Sequence, residues 1–297
     1  MSSATLPRHV GVDSRWRIVD GNRIDIGDLT SRAAHDGEDA EEALKAVRER
    51  LIPLQDALYA SQQFAVLVVF QALDAAGKDG TIREVFEKLG PAAVSVSSFK
   101  KPSSRELRHD FLWRTTKELP ERGHIKVFNR SYYEEVLAVR VHPEFLDAQF
   151  PLGPPPVDEL WPHRYRAIRE HERHLAIANT LILKFWLHVS PEEQARRFLD
   201  RIEEPDKRWK FSKHDVYEAG FREAYDEALV AMLNETSRPW APWFVIPADD
   251  KDYMRWQVAK ITHEAMAELP LRFPQPDVET AEERERIAAE LRARIGA

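Results

Sequence analysis

The run FAVLVVF at residues 64–70 constrains this chain more than any other stretch. It is continuous, rich in β-branched residues and bounded by polar sequence, the pattern of a strand buried on both faces of a parallel sheet. Parallel strands need crossover segments between them, so helices must follow. Further strands are expected at residues 94–99, 125–129, 181–189 and 243–247, alternating with helical stretches. Five parallel strands flanked by helices make an α/β fold of the doubly wound kind. Helix starts fall where that fold needs them. Ser103 with Glu106 and Ser190 with Glu193 read as capping boxes, Pro191 suits a first helical position, and Asp249 or Asp250 can cap the last long helix. A helix is expected over residues 104–119.

Ahead of the first strand, Leu44, Val47, Leu51 and Leu58 recur at helical spacing behind the acidic residues Asp36, Glu38, Asp39, Glu41 and Glu42, which predicts a leading helix. PLGPPP at residues 151–156 can continue neither a helix nor a central strand and reads as a surface loop. At residues 279–294, Glu and Arg alternate with Ile287 and Leu291, and Ile295 follows in step, the pattern of a terminal amphipathic helix with a solvated face. The expected organisation is an extension with its helix over residues 1–60, a main domain over 61–270 with a mobile segment at about 196–215, and a tail helix over 271–297.

Composition excludes several function classes. With 43% hydrophobic and 31% charged residues the chain is globular rather than disordered. It has no cysteine, so disulfide scaffolds, iron–sulfur clusters, cysteine-ligated zinc and a cysteine nucleophile are all impossible. A formal net charge of −7 argues against a protein that coats nucleic acid, so a polyanionic ligand needs a local basic zone. Residues 1–10 lack the apolar stretch of a signal peptide and residues 64–70 are too few to span a bilayer; no membrane anchor and a cytoplasmic location are expected. The eight tryptophans are scattered and read as packing residues of the core and of the mobile segment.

The first strand runs into QALDAAGKDGT at residues 71–81, then a helix expected to reach Leu89 before Gly90-Pro91. This is a degenerate Walker A loop. The full motif wraps phosphates in backbone N–H groups, aims a helix N-terminus at them and brings a lysine against the transferring oxygens. Gly77 and Lys78 fit, Lys78 being expected to point into solvent-filled space. Ala72 replaces the first glycine, and Asp79 replaces the hydroxyl residue. Asp74 inside the loop would repel phosphate unless a divalent cation lay between them. Ala75, Ala76, Gly77, Asp79, Gly80, Thr81 and Arg83 are the expected phosphate-side residues, an ordinary βα turn being the alternative.

The third strand ends at Asn129-Arg130, followed by SYYEE. Ligands gather at such strand ends. The Asn129 amide oxygen can ligate a metal, and Arg130 can clamp a phosphoryl group; equally, the pair can be a turn with Glu134 and Glu135 on a solvated helix face. Residues 100–130 carry nine basic side chains (Lys100, Lys101, Arg105, Arg108, Arg114, Lys117, Arg122, Lys126, Arg130) against four acidic ones. Residues 196–213, RRFLDRIEEPDKRWKFSK, form a second basic stretch whose helix Pro205 breaks. There Lys207, Arg208, Lys210 and Lys213 can close over phosphates while Trp209 and Phe211 pack the segment down; ordinary surface charge is the bland alternative. HERH at residues 171–174 is one residue short of a zincin motif and reads as a solvated helix rather than a zinc site.

Taken together, LDAAGKDGTIREVF, HDFLWR, FNRSYYEEVLAVRVHPE, SPEEQARRFLDRIEEPDKRWKFSKHD and APWFVIPADDK, in that order, resemble the polyphosphate kinase 2 family. The resemblance implies a thymidylate-kinase-like P-loop fold with a helical lid, magnesium or possibly manganese as cofactor, a homo-oligomer, and reversible phosphoryl transfer between inorganic polyphosphate and nucleotides. It puts the family's loop aspartate and lysine on Asp74 and Lys78, its strand-end acid–arginine pair on Asn129-Arg130 and its lid motif on residues 207–213. Many members have aspartate where this chain has Asn129. The asparagine form followed by Tyr133-Glu134 resembles the subgroup that phosphorylates both mono- and diphosphates, AMP and ADP yielding ATP, with Glu134 tied to AMP. The rival readings are a nucleoside-monophosphate kinase with ATP as donor and a non-catalytic sensor of nucleotide or polyphosphate.

Overall fold

The structure is a computed structural model that describes residues 7–34, 38–86, 89–275 and 280–295. Met1 to Leu6, Asp36, residues 87–88 and Glu279, on which parts of the expectations fell, lie outside the described residues. In chain order the main elements are α1 (Ala40–Ser61), β1 (Ala65–Gln71), α2 (Lys78–Val85), β2 (Val94–Ser98), α3 (Trp113–Thr116), β3 (Ile125–Asn129), α4 (Ala138–Val141), α5 (Val157–Ile177), β4 (Thr180–His188), α6 (Pro191–Glu203), α7 (Lys213–Ala219), α8 (Arg222–Thr236), β5 (Trp243–Pro247), α9 (Lys251–Ala267) and α10 (Ala281–Ile295).

The five strands form one parallel sheet in the order β2-β3-β1-β4-β5. All seven residues of β1 are buried, as the continuous apolar run requires of a central strand. Successive side chains go to opposite faces. Val66, Val68 and Phe70 join Leu44, Val47, Leu51 and Leu58 of α1 and Val258, Ile261 and Ala265 of α9, while Leu67 and Val69 join Tyr165 and Ile168 of α5 and Leu229 and Leu233 of α8. The chain leaves β1 towards β2 on one side and passes back across it from β3 to β4. The carboxyl ends of β1 and its neighbours are therefore where crossovers diverge and open a crevice. An amino-terminal segment guards the β5 edge, where Arg17 bridges Phe244 in antiparallel sense and the Val245 amide donates to the Trp16 carbonyl at 2.8 Å.

Several local expectations are corrected. Residues 104–119 are not one helix: a 3-10 turn at Glu106–Arg108 gives way to extended His109, and Asp110 accepts the Leu112 amide at 3.0 Å before the single turn of α3. That side-chain acceptor offers the backbone an alternative to helix. Ser103 and Glu106 do form the reciprocal capping box. Ser190 accepts the Glu193 amide, but the Ser190 amide donates to Asp249, because the Glu193 carboxylate is taken by Arg196 and Arg197. Asp250, not Asp249, caps α9. Ile287, Leu291 and Ile295 of α10 are all exposed, so its apolar stripe is not covered by any described residue.

HERH is solvated only in part: Arg173 and His174 are exposed, whereas Glu172 is not. Glu172 and Lys184 are fully buried and 2.7 Å apart, and Glu172 also accepts from the Tyr132 and Tyr133 hydroxyls at 2.9 and 2.7 Å. Lys184 occupies an inward position of β4, among apolar side chains, so its charge needs these partners. Burial pulls its amine down to about 8 against the opposing field of Glu172, and burial pushes both tyrosines well above their ordinary value, so they stay donors. Lys184→Met strands the Glu172 charge and is expected to cost about 3–5 kcal/mol of unfolding free energy in urea titration. Adding Glu172→Leu recovers part of that loss. A single variant as stable as wild type would contradict this account of the pair.

Candidate phosphoryl-transfer site

The loop after β1 turns on two left-handed residues, Ala75 at φ +63° and Gly77 at φ +107°. At Gly77 only glycine is unstrained, and an added Cβ would stand 3.1 Å from the Met254 Cε. Gly77 caps α2, whose first residue is Lys78. Lys78 does not point into solvent. It is buried, and its amine donates back to the carbonyls of Ala72 and Leu73 at 2.8 and 3.1 Å. A buried ammonium needs acceptors, and these carbonyls supply them.

Because Phe70 of β1 lies opposite Asn129 of β3, the two strand ends bring their polar residues together. Arg130, at φ +63°, donates to Asp74 at 2.5 Å and to Glu134 at 3.1 Å. Glu134 lies on a 3-10 turn, Tyr132–Glu135, and takes a further bond from the Gln71 amide at 2.9 Å. Glu135 is buried against Arg164, so neither glutamate is on a solvated face. Asn129 donates to Asp79 at 2.6 Å, which leaves its amide oxygen as the atom suited to a metal.

The electrostatics follow from this packing. Burial pushes the Asp74 carboxyl up, but Lys78 and Arg130 outweigh it and hold the group below the ordinary aspartate range. Burial and then Arg130 lower the Lys78 amine to about 8, with Asp74, Glu134 and Asp79 opposing them. Glu134, then Asp74, raise Arg130, which stays charged throughout. Lys78 and Arg130 thus meet Asp74 and Glu134 at the strand ends, and the cleft beside Asp74, Arg130 and Glu134 is closed on its other side by Asp215, Glu218 and Arg222 with Trp186, Gln194 and Tyr225.

Several other expected residues are not brought there. Arg83 is exposed at the far end of α2 beside Glu84, and the buried Thr81 hydroxyl donates to the Gly77 carbonyl at 3.1 Å. Gly80, in the first turn of α2, and Ala76, in the loop before it, do stay with Lys78. In the basic segment Pro205 does end α6 and start a 3-10 stretch, Pro205–Lys210. Its side chains stay apart from the loop: Lys207 pairs with Glu204 at 2.7 Å, Arg208 donates to the Ile202 carbonyl at 3.1 Å, Lys210 lies over Trp209, and Lys213 is exposed. Trp209 is 79% exposed and Phe211 is exposed too, so neither packs the segment down. Among the described residues no group of three or more His, Cys, Asp or Glu is placed to hold a metal, HERH included.

Sequence reasoning missed Gln71, Gln194 and Arg197. Gln194 donates to the Asp74 carbonyl at 2.8 Å, and Arg197 donates to the carbonyls of Ala75 and Ala76 at 3.1 and 2.8 Å. A polar residue closing an apolar strand was a usable signal for Gln71. Arg197 carried none, since it reads as one more charge on an amphipathic helix.

Residues 34–272 match the profile of the family described as Polyphosphate kinase 2. The chain belongs to this family. It is 48% identical over 265 residues to the ADP-polyphosphate phosphotransferase of Rhodopseudomonas palustris, covering 88% of this chain and 92% of that one. It is 43% identical over 274 residues to the AMP/ADP-polyphosphate phosphotransferase of Meiothermus ruber, covering 91% and 98%. The crystal structure of polyphosphate kinase 2 from Arthrobacter aurescens TC1 superposes with a TM-score of 0.76 at 32% identity, covering 91% of this chain and all of the other. The P-loop kinase-like fold expected of the family is the fold observed.

Membership makes Lys78 testable by pH. Its cation is present below about 8 and is lost as pH rises through that value. A polyphosphate kinase that uses this charge therefore loses kcat/KM for polyphosphate above about pH 8, since kcat/KM reports ionisations of the free enzyme. Lys78→Arg is expected to move that limb to higher pH. An unchanged limb in this variant would assign it to another group.

Proposed function

We propose that this chain moves phosphoryl groups reversibly between inorganic polyphosphate and nucleotides, taking AMP to ADP and ADP to ATP. The observation that carries this reading is the Arg130 guanidinium held between Asp74 and Glu134 at the mouth of a lysine-bearing loop. A phosphate acceptor has a second pKa of about 6 and is already largely ionised at neutral pH, so no strong base is required. What remains is alignment and charge neutralisation.

Lys78 and Arg130 supply the cations. Lys78 exchanges the carbonyls of Ala72 and Leu73 for phosphate oxygens, and Arg130 presents a planar fork to the phosphoryl group. Magnesium, or manganese in its place, is held in such sites through one or two carboxylates together with substrate phosphates and water, and Asp74, ionised and at the loop, fits that role, with the Asn129 amide oxygen at the neighbouring strand end as a second oxygen. When bound, the ion neutralises phosphate charge. Lys207, Arg208, Lys210 and Lys213 serve a lid that closes over the polymer, and their exposure leaves them free to move with it. Assembly into a homo-oligomer and a cytoplasmic setting belong to the same proposal; no described helix is long and apolar enough to cross a membrane.

Glu134 sets acceptor choice in this reading. A carboxylate near the acceptor repels an additional phosphate and orients water around a shorter one, so it favours AMP. The test supplies AMP, magnesium and polyphosphate without ATP. Wild type is expected to make ADP and then ATP, Lys78→Ala to lose turnover by orders of magnitude, and Glu134→Asn to lose far more kcat/KM with AMP than with ADP. Phosphorylation of AMP only when ATP is added would favour the monophosphate-kinase reading, and equal losses in Glu134→Asn would make that residue a shared one.

A further inference from the structure

Arg197 sits in α6, the helix that leads into the basic segment, and is 5% exposed. A guanidinium has five N–H donors and no acceptor. All five are used. Nε donates to Glu193 Oε1 at 2.9 Å, one terminal nitrogen to the carbonyls of Ala75 and Ala76 at 3.1 and 2.8 Å, and the other to those of Ala248 and Asp249 at 2.6 and 3.1 Å. Its partners lie on three separate segments: α6, the loop after β1, and the connection between β5 and α9.

A loop that offers N–H groups to an anion must turn its carbonyls elsewhere. Two of this loop's carbonyls end on Arg197, one of them from Ala75, a non-glycine residue in the left-handed region whose strain the surroundings must hold. Arg197 also packs beside Gly77, its terminal nitrogen 3.6 Å from where a Cβ would stand. Without the guanidinium these carbonyls lose their donors and are free to rotate towards the phosphate side, where an oxygen repels the anion.

We infer that Arg197 is a positioning residue that fixes the phosphate loop in its anion-accepting shape and ties that shape to the helix bearing the lid. It touches no substrate. The inference rests on the phosphate-loop reading proposed above. Lysine cannot replace it, because one ammonium presents its donors from a single point and cannot span two loops.

The experiment compares full-length Arg197→Lys, Glu193→Gln and Lys78→Ala with wild type. Affinity for tripolyphosphate is read by titration calorimetry, kcat and KM are measured with AMP and ADP, and amide hydrogen exchange is followed in peptides covering residues 72–81 and β4. Arg197→Lys is expected to lose about tenfold or more in tripolyphosphate affinity, and a similar factor in kcat/KM with both acceptors alike. Exchange should rise in residues 72–81 while β4 stays at its wild-type rate. A folded Arg197→Lys with wild-type affinity and turnover overturns the inference, as does exchange that rises equally in β4, the mark of a general structural role. Glu193→Gln, which only loosens the orientation of Arg197, should shift the same readouts less; should Arg197→Lys fail to fold, wild-type values in Glu193→Gln overturn it instead. Full activity and affinity in Lys78→Ala would bring down the phosphate-loop reading itself, whereas an inactive Lys78→Ala beside a normal Arg197→Lys removes only the role of Arg197.

Discussion

Arg130 stands between two carboxylates that the fold would otherwise set against each other. Asp74 comes from the loop after β1 and Glu134 from the turn after β3, and the guanidinium reaches both, at 2.5 and 3.1 Å. That geometry depends on the parallel pairing of β1 with β3, which puts Phe70 opposite Asn129 and so sets the two strand ends side by side. It depends equally on the left-handed backbone at Arg130, which turns the chain at the strand end while its amide still bonds to the Phe70 carbonyl at 3.0 Å. Like charges in one cleft are tolerable only with cations among them, and Arg130 and Lys78 are those cations.

The support beneath this cluster is polar and buried, which is costly unless every group is paired. Lys184 and Glu172 meet that condition with Tyr132, Tyr133 and Thr236, and the two tyrosines begin the same 3-10 turn that carries Glu134. The sheet side of the site is thus held by a connected network. The basic segment proposed as the lid is tied by ion pairs within itself, such as Lys207 with Glu204 and Arg201 with Asp215. A rigid floor under a loosely tied cover suits a reaction that must exclude water during transfer and release a charged polymer afterwards.

β1, β4 and β5 were legible because burial on both faces leaves an unbroken apolar signature, whereas the partly exposed edge strand β2 was read from the alternation of strands and helices; β3 and β5 fall at the expected residues, β1 and β4 are displaced by one, and β2 ends one residue early. That Asp74, Lys78, Asn129, Arg130 and Glu134 lie together was legible because polar residues gather where parallel strands end. Strand order was not, since nothing local in β1 records that β3 and β4 flank it. Local reading also misjudged charged residues whose partners are distant in sequence. Glu172 looked solvated because its partners Tyr132, Tyr133 and Lys184 are supplied by other elements. Arg197 looked like surface charge for the same reason, and Trp209 looked like a packing residue although it is largely exposed. Aromatic and charged side chains carry little information about burial until their neighbours are known.

The central proposal is that Lys78, at the start of α2, and Arg130, just after β3, act on one phosphoryl group. A double-mutant cycle on kcat/KM measures this directly, using Lys78→Ala, Arg130→Ala and the pair, with polyphosphate as donor and ADP as acceptor. Groups that act as a unit lose most of their effect when either is removed, so the double variant is expected to be little worse than the poorer single one. Losses that add in full would show two independent sites and contradict the account.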